Sequence, residues 1–289
     1  PWVLDAANET EQKQRLQLLF DTNRTTQVRE EALQQLQKQQ LPNGGWSWMK
    51  GMPASRHITL QILKGMAQLI QLNAVSYNQT EKEMQMKALR FLDQSIQEDY
   101  EQLLKIKGKP TAIPSDDQVE YLFVRSFYRD IPELGEAREA IRYYTRQAAT
   151  NWKEYGLYSR AAIAWLMHQN GKKETTQDIV AWFRKTATDH AEKGMYWANN
   201  RNTFASNRSA IETHCLIMAL FQQTDPNQEQ TDRMKQWLLN QKRTQNWESV
   251  PATQNAIYAL LLTGNSWIEE TNVCHIRLND ATWSTTDGE

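Results

Sequence analysis

Apolar residues recur along the chain with helical spacing, in two alternating kinds of segment. The first segment, residues 25–40, is polar except for one stripe formed by Val28, Ala32, Leu33 and Leu36. The next segment is more apolar and carries a line of residues one helical turn apart: Ile58, Ile62, Met66 and Ile70. A single stripe predicts an amphipathic surface helix, whereas the second pattern predicts a helix that its neighbours must cover.

The pairing of an amphipathic segment with a more apolar one repeats four more times. The amphipathic members are residues 80–106, 133–151, 173–193 and 228–242. The apolar members are residues 116–129, 157–168, 206–222 and 252–263. Three of these contain AIAWLM, CLIMALF and AIYALLL, which have no polar face to expose to water. The sequence therefore predicts five helix pairs with a buried second member.

Two concentric layers bury the apolar helices inside and leave the polar faces of the amphipathic helices in water. We therefore predict an all-α fold, an α/α toroid of about five to six helix pairs over residues 1–265 that lacks its first helices. Residues 9–21 would supply one further helix. Tryptophans recur in the linkers within the pairs, which supports a repeat: Trp46, Trp48, Trp152, Trp197 and Trp247. The structural alternatives are an open superhelix of helical repeats and a helix bundle.

The end of the chain changes to a two-residue period. In residues 272–283 (NVCHIRLNDATW) Val273 and His275 alternate with Cys274 and Ile276, and Asn279-Asp280 is typical of a tight turn. This pattern predicts a β-hairpin. We expect residues 266–289 to begin a β-sandwich domain, because two strands alone are only marginally stable.

Composition limits the classes of function. The chain has 289 residues, and its formal net charge of −1 comes from interspersed acids and bases, so we expect neither nucleic acid nor an anionic membrane as partner. No run of about 18 apolar residues occurs, so no membrane span is predicted. The N-terminus PWVLDAANET resembles neither a signal peptide nor a Met start, and we expect a segment of a longer chain.

A Gly-Gly-Trp turn separates the first two predicted helices. Residues 40–46 (QLPNGGW) have the Gln-x-x-x-Gly-x-Trp form of the repeat found in terpene cyclases, which are α/α toroids. We predict a structural turn in which Gly44 and Gly45 permit positive φ or close packing and Trp46 covers helix ends. The alternative is a stacking surface for a glycan or peptide, formed by Trp46, Trp48 and Trp197.

The acidic residues and histidines form no complete catalytic motif. Asp116-Asp117-x-x-Glu120 has the outline of a magnesium-diphosphate motif, but after Ser115 it equally suits the first turn of a capped helix. The Asp-x-Asp-Asp acid signature of cyclases is absent. The candidate carboxylates for glycoside hydrolysis show no pairing: Asp189, Glu212 and Glu248.

The five histidines and two cysteines have no metal-binding or redox spacing. His214 and Cys215 are neighbours on a predicted helix and point about 100° apart, so they form no catalytic pair. Cys215 is expected to be a buried small residue. No catalytic residue, metal or cofactor is predicted.

Four blocks of sequence resemble the thioester-domain region of bacterial alpha-2-macroglobulin-like proteins, especially those of Bacteroidetes. The blocks are PWVLDAANETEQKQRLQLLFDTNR, LQKQQLPNGGWSWMKGMPASRHITLQILKGMAQL, VEYLFVRSFYRDIP, and NWESVPATQNAIYALLLTG with CHIRLNDATW. The resemblance covers nearly the whole chain. It implies an α/α toroid inserted into a β-sandwich domain, in agreement with the helix pattern.

The resemblance also implies a function. The family's reactive centre is a Cys-x-Glu-Gln thioester motif, which neither Cys215 nor Cys274 matches, so we expect the motif upstream of Pro1 or absent from the parent. The implied role is a non-enzymatic scaffold and shield in a protease-trapping inhibitor, periplasmic or anchored in the cell envelope. Its partners would be other domains of the parent chain and trapped proteases. The alternatives are a carbohydrate-active or isoprenoid cyclase-like toroid enzyme and a glycan- or peptide-binding toroid.

Overall fold

The computed structural model describes residues 22–106, 112–201, 209–244, 247, 249–264, 275–278 and 281–284. These ranges are mostly helical, as the sequence predicted. The first five helices are α1 Thr22–Gln39, α2 Arg56–Gln71, α3 Gln79–Leu104, α4 Asp116–Arg125 and α5 Arg138–Thr150. The next five are α6 Leu157–Gln169, α7 Lys173–Thr186, α8 Ala210–Thr224, α9 Gln228–Thr244 and α10 Val250–Thr263. The described residues also form two short 3-10 helices, Gly135–Ala137 and Trp152–Glu154. Two strand pairs are present as well, β1 Thr188–His190 with β2 Gly194–Tyr196 and β3 His275–Leu278 with β4 Ala281–Ser284.

One prediction of helix extent was wrong. The helix expected over residues 173–193 ends at Thr186, and the β1–β2 hairpin occupies the following residues. Gly194 has φ of +81°, and a Cβ there would lie 2.2 Å from the Arg233 carbonyl oxygen. The left-handed backbone and the close approach to α9 favour a turn and a strand over continued helix.

Side-chain caps set the beginnings of most apolar helices. The N-cap residues of α2, α4, α8 and α10 are all serines: Ser55, Ser115, Ser209 and Ser249. Ser115 and Ser209 form capping boxes with the residues three positions later, Gln118 and Glu212. These contacts satisfy backbone N–H groups that have no partner within the helix.

The chain divides into two compact units, residues 1–183 and 184–289. In the first unit α2 contacts α4 and α4 contacts α6, so successive apolar helices lie side by side. The amphipathic helices follow the same rule, since α1 contacts α3 and α3 contacts α5. The predicted boundary at residue 265 stays a prediction.

A buried polar network joins α3 to α4 in the first unit. The Asp93 carboxylate accepts hydrogen bonds from the Tyr121 hydroxyl at 2.7 Å, from Arg125 Nε at 3.1 Å and from the Leu134 N–H at 2.9 Å. Arg125 also donates to the carbonyl oxygen of Tyr128. Because each charged group here has several partners, the network stabilises the fold without leaving an unpaired charge.

The second unit contains α8, α9, α10 and the two strand pairs. Helix α8 contacts both α9 and α10, and α9 packs on β2. Strands β3 and β4 are antiparallel, with His275 opposite Ser284 and Leu278 opposite Ala281. The predicted C-terminal hairpin is therefore confirmed as a strand pair, while its turn at Asn279-Asp280 lies outside the described residues.

Candidate functional site

Trp46 forms hydrogen bonds to both the end of α1 and the start of α2. Its side chain is 2% exposed, and its indole Nε1 donates to the Leu36 carbonyl oxygen at 2.8 Å. Its backbone N–H donates to Thr59 Oγ1 at 3.0 Å, and its carbonyl oxygen accepts from the Ser55 N–H at 2.7 Å. All of its polar groups are therefore used within the fold.

The two glycines of the turn lie where a side chain would not fit. Gly44 has φ of +92°, and a Cβ there would lie 2.2 Å from the Lys87 carbonyl oxygen. A Cβ on Gly45 would lie 2.7 Å from that of Ala54. Gln40 Nε2 donates to the Gly44 carbonyl oxygen at 2.8 Å. The glycines therefore permit close packing of the turn against α3.

Trp48 lies two residues further on and is exposed. The residue as a whole is 63% exposed, and its ring stacks on His57 with 5.7 Å between centroids and 7° between planes. Trp197 is 1% exposed. The three-tryptophan stacking surface considered from the sequence is not formed, because Trp46 and Trp197 are buried and Trp48 alone of the three is open to solvent.

A small cleft with polar and apolar walls lies at the beginnings of α2 and α4. Arg56 binds Asp99 on α3 in a bidentate pair, with N–O distances of 2.7 and 2.8 Å, and donates to the Ser95 carbonyl oxygen at 2.8 Å. Gln118 Nε2 donates to Asp99 at 3.0 Å. The stacked partner of Trp48, His57, also lines this cleft. The cleft was not predicted, because its residues come from three separated segments.

An ion pair is buried between the apolar helices of the first unit. Lys64 on α2 and Glu120 on α4, each 2% exposed, have an Nζ–Oε1 distance of 3.6 Å. Lys64 Nζ also lies 3.4 Å from the hydroxyl of Tyr158 on α6. The sequence does carry a signal for this pair, since each is a charged residue within an apolar helix. A buried charge needs a partner of opposite sign.

The aspartate-rich pattern does not converge on a common ligand. Asp116 Oδ1 accepts from Ser159 Oγ at 2.6 Å, Glu120 pairs with Lys64, and Asp117 is exposed. The described ranges contain no group of three His, Cys, Asp or Glu side chains that could hold a metal ion. Asp116 and Asp117 lie in the first turn of the capped helix α4. Asp116 and Glu120 also contact neighbouring helices through Ser159 and Lys64.

The carboxylates considered for sugar hydrolysis also have separate partners. Glu212 Oε2 accepts from the Ser209 N–H at 3.0 Å as part of the α8 capping box. Asp189 Oδ1 accepts from Arg233 Nε at 2.9 Å. Glu248 lies outside the described residues. Asp189 and Glu212 are therefore not brought together as a pair.

His214 and Cys215 occupy the interior of the second unit. The His214 ring lies 4.2 Å from that of Trp237, and its Nε2 is 3.0 Å from the Met234 carbonyl oxygen. Burial lowers the pKa of His214 from 6.5 to about 4, with the Met234 hydrogen bond opposing the shift. Burial also raises the pKa of the Cys215 thiol, and the prediction that Cys215 is a buried small residue is confirmed.

Within the described part of the chain, every helix is too short or too polar to cross a bilayer. Neither a protein-family model nor a curated protein sequence matches the chain.

Proposed function

We propose that this chain is a non-enzymatic scaffold and shielding domain of an alpha-2-macroglobulin-like protease trap, and that its helices form an α/α toroid. The observation that carries the proposal is the succession of contacts α2–α4–α6 among apolar helices and α1–α3–α5 among amphipathic helices. A two-layered array of helix pairs requires this succession, because each apolar helix must be covered by its apolar neighbours. The sequence resemblance supplies the family.

The burial of the apolar helices supports a shielding role. In α6 the seven consecutive residues 161–167 are all buried. In α8 all of residues 211–221 are buried. An acyl thioester survives only where packing keeps water and amines away from it. A rigid layer of this kind would protect such a bond if the parent molecule carries one outside this chain.

The partners and location follow from the same resemblance. We propose that the chain contacts other domains of its parent, encloses proteases, and acts in the periplasm or at the cell envelope. Cleavage of a bait segment in the parent would trigger rearrangement around the protease. The reactive motif Cys-x-Glu-Gln does not occur in this chain, so any thioester chemistry belongs to the rest of the parent.

The trapping role is tested on the parent protein with an active endopeptidase. After incubation, residual protease activity is measured on casein and on a small chromogenic peptide. Enclosure predicts loss of casein cleavage with retention of peptide cleavage, because only the large substrate is excluded. A protease with a chemically blocked active site is the control and should not be enclosed. Loss of both activities, or of neither, contradicts the proposal.

The toroid is tested separately by an experimental structure of the chain. A closed ring of helices with the even-numbered helices inside is the expected result. An open superhelix would contradict the ring while leaving the trapping experiment unaffected.

A further inference from the structure

The nine methionines of the chain differ sharply in solvent exposure, and all nine lie in the ranges that the structure describes. Six are buried, with at most 6% of their surface exposed: Met66, Met84, Met167, Met195, Met218 and Met234. Met86 is half-buried. Met49 is 72% exposed and Met52 is 47% exposed. These two thioether side chains are therefore the ones most open to solutes.

Both exposed methionines lie on one loop between α1 and α2, residues 47–54, which we call the Trp48 loop. Its base is closed by a hydrogen bond from the Ser55 N–H to the Trp46 carbonyl oxygen at 2.7 Å. At its tip the Met49 carbonyl oxygen accepts from Ser47 Oγ at 2.8 Å and from the Met52 N–H at 3.1 Å. These bonds use backbone groups and a hydroxyl, so the loop conformation does not depend on either sulfur atom.

The Trp48 loop carries an apolar surface. Its residues 48–53 are all exposed, and Trp48, Met49 and Met52 supply the large apolar side chains. A methionine side chain is apolar, whereas its sulfoxide is polar. The polarity of the loop surface therefore depends on the oxidation state of two sulfur atoms.

An accessible thioether is oxidised by hydroperoxides to the sulfoxide. A sulfur lone pair forms the S–O bond as the O–O bond breaks, and the departing hydroxide takes the proton of the transferred oxygen to form water. The sulfur loses two electrons, and each peroxide oxygen gains one. We propose that Met49 and Met52 form an oxidant-sensitive site, at which a hydroperoxide turns the apolar surface of the Trp48 loop polar while the fold stays intact.

The fold should survive this oxidation because neither exposed methionine belongs to the buried core. Oxidation of Met66 or Met195 would instead place a polar sulfoxide in a buried position, which is costly without a hydrogen-bond donor. The proposal goes beyond the protease-trapping function and does not depend on it, since it concerns this chain alone.

The first test is treatment of the folded chain with hydrogen peroxide, followed by tryptic digestion and mass spectrometry. Cleavage after Lys50 separates Met49 from Met52, so the oxygen gained by each is measured individually. Both should be oxidised at least about tenfold faster than the buried Met66 and Met195. In urea the four rates should agree within about threefold, because unfolding removes the difference in exposure.

The second test compares surface polarity before and after oxidation. The oxidised chain should elute earlier from a hydrophobic interaction column, with its melting temperature unchanged to within about 2 °C. The double variant Met49→Leu with Met52→Leu lacks both exposed thioethers and should keep its retention time after the same treatment. Met86→Leu is the matched control, since it removes a half-buried methionine outside the loop. It should respond to peroxide as the unaltered chain does.

Three outcomes would overturn the proposal. One is a difference of less than about tenfold between the loop methionines and Met66 or Met195 in the folded chain. Another is a fall in melting temperature of more than about 2 °C when Met49 and Met52 alone are oxidised. The third is an unchanged retention time after both have gained oxygen.

Discussion

Trp46 and Trp48 are the same residue type, two positions apart, in opposite environments. The ring of Trp46 is buried and its indole N–H is bonded to the backbone of α1, whereas the ring of Trp48 faces solvent. Burial of a large aromatic side chain contributes free energy of folding, and an exposed ring contributes little. The two positions therefore form a natural pair for comparison.

Trp46→Ala should lower the free energy of unfolding by about 3 to 5 kcal/mol, because it leaves a cavity and two helix ends without their cover. Trp48→Ala should change it by less than about 0.5 kcal/mol. Urea denaturation of both variants measures the difference. Equal losses would contradict the burial of Trp46.

His214 makes the stability of the chain depend on pH. Its folded pKa is about 4, below the ordinary 6.5, so between these values the unfolded chain binds a proton that the folded chain does not. Stability should therefore fall as the pH decreases from about 6.5 to 4, with a contribution of up to about 3 kcal/mol. His214→Gln should flatten this part of the curve, measured as urea stability at several pH values. An unchanged slope in the variant would contradict the assignment.

Close packing of a turn against a neighbouring helix explains the glycine at position 44 but not the one at position 51. Gly44 and Gly51 both have φ near +90°, yet only Gly44 approaches another backbone. A Cβ at Gly51 would meet nothing within 4 Å. Comparing the stability loss on substitution at the two positions therefore separates the effect of packing against α3 from the effect of positive φ.

Gly44→Ala should destabilise the chain by about 1 to 3 kcal/mol more than Gly51→Ala, because the added methyl group overlaps the Lys87 carbonyl oxygen. Both variants carry the cost of positive φ, so Gly51→Ala is the matched control. The midpoints of urea unfolding give the comparison. Equal midpoints would show that α3 does not approach this turn so closely.

The Lys64–Glu120 pair links two apolar helices, and its two members should be strongly coupled. Lys64→Met alone should cost about 3 to 5 kcal/mol, since it leaves a buried carboxylate beside apolar groups. The double variant Lys64→Met with Glu120→Leu should cost less than the sum of the two single changes. Urea denaturation of the full double-mutant cycle measures the coupling. Additive losses would contradict direct pairing of the charges.

Across the described part of the chain, alternate helices differ in solvent exposure. Backbone amides of α6 should exchange more slowly with deuterium than those of α1, because α6 is covered on nearly all sides and α1 is mostly exposed. Hydrogen exchange followed by mass spectrometry on the intact chain measures this. Similar rates in both helices would contradict the layered packing on which the toroid proposal depends.

Much of the element order could be predicted from local patterns, while the site could not. Helix type follows from apolar spacing within one segment, and serine caps mark helix starts in the sequence. The β1–β2 hairpin was missed because its Gly194 is needed for contact with α9, which lies about 40 residues away in the sequence. The cleft at the beginnings of α2 and α4 was missed for the same reason, since Arg56, Asp99 and Gln118 come from three helices.

The sequence by itself determined the mostly helical class, the alternation of polar and apolar helices, and the C-terminal strand pair. These properties depend on residues that are close in the chain, where hydrophobic spacing and capping act. Only the tertiary structure decided which tryptophan is buried and which charges are paired. Burial and pairing are properties of the surroundings of a side chain, and those surroundings come from helices that are distant in sequence.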